Sequence, residues 1–132
     1  MKIDVNDKLF SKLKRMNQVQ CQRCCKELSL QCCHIFSRRF YTTRFDTLNA
    51  VVLCYSCHSW MDTHKIDACL FNKQKRIFGP KEESYHFLVY TLGYTWEDLV
   101  GLYHRAQTPY RGYKTKKKDI TKFLKKQIEE AE

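Results

Sequence analysis

Residues 6–16 alternate apolar and charged positions with a helical period, and Leu9, Leu13 and Met16 fall on one stripe. Asn6 or Asp7 is placed to cap the start of that helix. The period breaks at 19–30, a polar stretch carrying Cys21, Cys24 and Cys25. Such a turn presents thiolates and backbone amides to one metal ion. Residues 31–36 predict a short strand, and 49–53 a second apolar strand that runs into Cys54 and Cys57. From Cys57 to His64 there is no Gly or Pro, so a helix starts at or just after the second cysteine pair. The local order is strand, loop, strand, helix.

Gly79 and Pro80 punctuate the next boundary. Tyr85, Leu88, Val89 and Leu92 then recur at helical spacing over 82–92, with Gly93 as the stop. Thr95 and Asp98 have the spacing of a cap for a helix running to about Gln107. Beyond Pro109 and Gly112, residues 114–132 are rich in lysine, yet Ile120, Phe123, Leu124 and Ile128 share a stripe, which predicts a terminal amphipathic helix. Tyr85, Tyr90 and Trp96 are expected in the core. The pattern divides the chain into an N-terminal helix (1–18), a metal-stapled α+β core (19–66) and a helical extension (67–132). Apart from the two cysteine pairs there is no internal repeat.

With 132 residues the chain suits one small domain, which needs a staple because so small a core is only modestly self-sufficient. Eight cysteines grouped in close pairs, with no apolar leader and no membrane-length apolar run, are better explained by thiolate–metal bonds in a reducing compartment than by disulfides. A soluble, cytoplasmic protein is expected. Cys21, Cys24, Cys54 and Cys57 can close a tetrahedral zinc site. Cys25, Cys32, Cys33 and Cys69 are left over, and adjacency leaves Cys24 and Cys25 open as alternatives. The net charge of +10 favours a polyanionic partner, nucleic acid before an anionic membrane face.

Between the pairs stand His34, Asn49 and, directly after Cys57, His58. Phosphodiester hydrolysis needs a base for water, an electrophile for the developing charge, and a scaffold for both. An imidazole exchanges protons near neutral pH, so the residue type at His34 suits the base. Asn49 can hydrogen-bond the ring or backbone of His34 and orient it. His58, anchored beside a zinc cysteine, can hold a second, catalytic divalent metal. Arg38, Arg39 and Arg44 lie in the loop between base and orienter, where guanidinium groups clamp phosphates. Lys116, Lys117 and Lys118, with Lys122, Lys125 and Lys126, extend a basic track, and Tyr41 is placed to stack on a base.

This arrangement resembles the HNH, or ββα-metal, endonucleases: paired cysteines, a histidine, an asparagine, then paired cysteines followed by a histidine. The stretch Cys33 to Arg39, with Thr43 to Asp46, Leu48 and Asn49, looks more narrowly like the phage recombination endonucleases NinG or Rap. The resemblance covers about residues 20–65 and continues weakly through 96–99. It implies a ββα-metal core around structural Zn²⁺, with His34 as general base, Asn49 orienting it and His58 binding a divalent cation. The implied activity is single-metal DNA cleavage, on branched or four-way recombination intermediates, leaving 5′-phosphate and 3′-hydroxyl ends. The cellular site is then a host cytoplasm if the chain is phage-encoded.

Cys33 departs from the pattern, which places Asp or His before the base. A thiolate suits Mn²⁺, Ni²⁺ or Zn²⁺ better than Mg²⁺, so the catalytic ion is left open between Mg²⁺ and Mn²⁺ or Ni²⁺. The rival readings are a non-catalytic zinc ribbon that binds nucleic acid, and a zinc-organised interaction domain. In the second of these the helical segments make a homodimer.

Overall fold

The computed structural model describes residues 3–63, 80–108 and 112–132. Cys69, Gly79 and Pro109, and the boundary placed at 66/67, lie outside the described residues. The fold is α+β, mostly helical around a two-stranded sheet.

Helix α1 (Val5–Asn17) is capped by Asp4, two residues before the asparagine and three before the aspartate expected there. The Asp4 carboxylate accepts the N–H groups of Asn6 and Asp7, and Asp7 returns the bond by accepting the Asp4 N–H at 2.9 Å. This reciprocal box satisfies donors that an uncapped helix start leaves orphaned. Phe10 and Leu13 of α1 are buried together with Ala50, Leu124 and Ile128.

Strands β1 (Leu30–His34) and β2 (Ala50–Cys54) are antiparallel, with Leu30 opposite Cys54 and His34 opposite Ala50. The expected continuation of β1 to Phe36 does not form as a ladder. Ile35 donates to the Asn49 carbonyl, and then the Asn49 side chain takes over both backbone groups of Phe36, at 2.8 and 3.0 Å. The intervening loop holds a one-turn helix, α2 (Tyr41–Arg44), and a 3₁₀ turn at Thr47–Asn49. On the far edge of β2, Gln22 occupies both backbone groups of Val52, and every residue of β2 is buried.

Helix α3 (Tyr55–Thr63) starts inside the second cysteine pair, earlier than expected. Helix α4 (Pro80–His86) passes into a π-helical turn (Phe87–Thr91), where Leu92 donates to Phe87 five residues back. Gly93 follows with φ 82°, a left-handed conformation that suits a residue without Cβ. Thr95 and Asp98 form the expected box on α5 (Trp96–Gln107). The larger core joins Ile35, Val51, Leu53, Met61, Leu88, Leu99 and Leu102.

Helix α6 (Tyr113–Ala131) runs along α1. Two aromatic assignments are corrected here. Phe123 is 60% exposed, one step off the Ile120–Leu124–Ile128 stripe, and Tyr90 is 77% exposed on the outer side of the π-helical turn. Among the described residues no helix is long and apolar enough to cross a membrane.

Candidate active site

The first cysteine pair is a tight knuckle. Cys21 N–H bonds to the Lys26 carbonyl at 2.7 Å, Cys25 N–H to the Cys21 carbonyl, and Cys24 N–H points at the Cys21 sulfur. Cys24 and Cys25 are both exposed, but it is the Cys24 sulfur that joins the cluster, while Cys25 takes φ 67° and stands outside it. The sulfurs of Cys21, Cys24, Cys54 and Cys57 all lie within 4.8 Å of one another, with Cys24 and Cys54 3.6 Å apart. A tetrahedron with Zn–S bonds of about 2.3 Å has edges of about 3.8 Å, so the cluster fits a structural zinc ion.

Burial pushes the Cys57 thiol up to about 12. At Cys21 the N–H groups of Cys24, Cys54 and Arg23 outweigh burial and hold the thiol down to about 6. Arg23 seals the cluster, donating to the Cys57 sulfur at 3.5 Å with its guanidinium 3.8 Å above the Trp60 ring.

His34 ends β1, its ring 5.7 Å from that of Phe10. Its Nε2 lies 2.9 Å from the Arg44 carbonyl. A carbonyl only accepts, so that contact places the proton on Nε2 and leaves the Nδ1 lone pair as the basic site. Asn49 acts on this ring through the loop: besides gripping Phe36, its amide donates at 3.1 Å to the Thr43 carbonyl, one peptide before the carbonyl that His34 uses.

Across the cleft, His58 Nδ1 meets the Gln31 side-chain oxygen at 2.7 Å, which makes Nδ1 the donor. Its Nε2 is 3.6 Å from the Asp62 carboxylate, one helical turn on. The Cys33 sulfur completes a trio whose donor atoms all lie within 4.8 Å. Thiol, imidazole and carboxylate form a donor set for a borderline divalent cation rather than for Mg²⁺. Asp62 and Gln31 were not singled out from sequence, although the four-residue spacing of His58 and Asp62 on a helix carries the signal for the first.

Both histidines open onto one cleft of about 860 Å³ along β1. Its lining includes Asp62, Arg38, Lys8, Ser11 and Arg15. Of the three loop arginines, Arg38 faces the cleft, while Arg39 is exposed with its guanidinium over the Phe40 ring at 4.7 Å. Arg44 is not a phosphate clamp, because it is 1% exposed and forked onto Asp7. Tyr41 already stacks on Tyr113 at 4.4 Å, which occupies a face expected for a base.

Lys116, Lys117 and Lys118 stand on the first turns of α6, outside the cleft lining. Beside Arg38, its cations come from α1, where Lys8 and Arg15 read in sequence as the polar side of an amphipathic helix. Compared with known protein families, curated proteins and solved structures, the chain matches none.

Proposed function

We propose that this chain is a metal-dependent DNA endonuclease that hydrolyses a phosphodiester in the cleft between His34 and the Cys33–His58–Asp62 trio. The observation that carries the reading is the shared cleft: one wall offers an imidazole lone pair fixed by its own hydrogen bond, and the other offers His58 and Asp62, with the buried Cys33 sulfur within 4.8 Å of their donor atoms. His34 Nδ1 takes the proton from the attacking water. Its Nε2–H stays on the Arg44 carbonyl throughout, so the imidazolium is stabilised as it forms.

Cys33, His58 and Asp62 would hold the cation, which when bound neutralises charge on the phosphorane and the leaving oxygen. The donor set favours Mn²⁺, Ni²⁺ or Zn²⁺ over Mg²⁺. Lys8, Arg15 and Arg38 contact the phosphates flanking the scissile bond. Branched recombination intermediates are the substrate class that the resemblance implies, with 5′-phosphate and 3′-hydroxyl products.

The test is incubation of the zinc-loaded protein with linear, nicked, single-stranded and four-way-junction DNA across Mg²⁺, Mn²⁺ and Ni²⁺. His34→Ala is expected to keep zinc and DNA binding and to lose cleavage by about 100-fold or more, the usual contribution of a general base. A wild-type protein that binds these DNAs and cuts none of them with any ion returns the reading to a zinc ribbon that only binds nucleic acid.

A further inference from the structure

We infer that the buried Asp7–Arg44 ion pair is a positioning device for His34, so that the N-terminal helix sets the orientation and tautomer of the base. This rests on the reading of His34 as the base. The Arg44 carbonyl that receives His34 Nε2–H belongs to a residue whose side chain has no freedom left. Its Nε donates to Asp7 Oδ1 at 2.8 Å and its Nη2 to Asp7 Oδ2. The guanidinium is packed among the rings of Tyr41, Phe45 and Tyr113, 4.9 to 5.9 Å from their centres.

Asp7 is itself immobilised by the cap of α1, through the Asp4 N–H. The far helix closes the assembly: the Tyr113 hydroxyl donates to Asp4 at 2.6 Å, and Asn6 donates to the Lys117 carbonyl. A buried ion pair is weak evidence for stability, because apolar residues of similar volume often serve as well. A two-pronged fork does fix geometry, and here the fixed object is the peptide to which the imidazole is tied. The pair spans 37 positions of sequence to hold the carbonyl that receives the His34 Nε2–H.

The experiment is nitrogen-15 NMR of the histidine rings in the full zinc-loaded chain, alongside cleavage kinetics, for wild type, Asp7→Asn, Arg44→Lys and the charge-free pair Asp7→Leu with Arg44→Met. Wild type is expected to show His34 as the single Nε2-protonated tautomer. The variants should show mixed tautomers, with kcat lowered by about 10- to 100-fold at unchanged KM, the range seen when an orienting partner is lost. A mixed tautomer in the wild type, or a folded variant whose His34 signals do not move, overturns the inference. Loss of fold in every variant also overturns it, by assigning the pair to stability alone. If the wild type cuts no DNA while its His34 is locked and the variants release it, the positioning role stands and the nuclease reading falls.

Discussion

Cys33 brings a buried sulfur to a trio otherwise made of an imidazole and a carboxylate, and sulfur discriminates among divalent ions more sharply than oxygen does. Mg²⁺ asks for oxygen ligands and near-octahedral geometry, while softer ions accept a thiolate. Replacing Cys33 by Asp should therefore raise Mg²⁺-supported cleavage relative to that with Mn²⁺ or Ni²⁺. The check is a series of cleavage rates with each ion, at matched ionic strength, for both proteins. The same ion preference in both would remove Cys33 from the cation's ligands and leave His58 and Asp62 to hold it.

At the scale of elements, α1 serves two faces at once. Phe10 and Leu13 close the small core against α6, and Lys8, Ser11 and Arg15, at intervals of three and four residues, line the cleft. If the substrate backbone runs along this wall, each cation displaces counterions from a phosphate. The slope of log affinity against log salt falls by about 0.9 per contact on duplex DNA. The double variant Lys8→Ala/Arg15→Ala should flatten that slope by about 2. The pair Lys116→Ala/Lys118→Ala, outside the cleft, should leave it unchanged. Fluorescence anisotropy over a salt series separates the two outcomes, and equal slopes for all three proteins would take α1 off the DNA path.

Much of this element-level layout is legible in the chain. Apolar residues three and four apart announce α1, α5 and α6, and the cysteine spacing announces the knuckles. What the sequence does not disclose depends on partners distant along it. Arg44 looks like any loop arginine until Asp7 is brought beside it. Phe123 fits a helical stripe until α1 selects the face one step away. The exit of β1 is decided by an asparagine 13 residues from the peptide it grips. The histidine cleft lies between these cases: His34, His58 and Arg38 stand out by residue type and order, whereas Lys8 and Arg15 beside them come from a helix whose polar side has no distinguishing mark in sequence.

For the whole molecule, the four-cysteine cluster that can hold zinc is the joint on which the cleft depends. Its four sulfurs come from the knuckle, the end of β2 and the first turn of α3. Gln22 in the knuckle holds the outer edge of β2, and His58 follows a cluster cysteine directly. A domain of this size has a net stability of about 5–15 kcal/mol, while structural zinc supplies apparent binding energies of about 10–16 kcal/mol. Removing the ion should therefore unfold the larger core rather than merely loosen it, and carry His58 and Asp62 away from Cys33.

Cys57→Ser, or stripping zinc with a strong chelator, is expected to abolish the cooperative melting transition and much of the helical circular dichroism. Readdition of Zn²⁺ should restore both to the stripped wild type but not to the serine variant. Mg²⁺ should restore neither, because thiolates bind it poorly. A zinc-free protein that melts at the temperature of the loaded one would show instead that apolar packing alone sustains the core. The four sulfurs would then be a site the fold tolerates rather than one it requires.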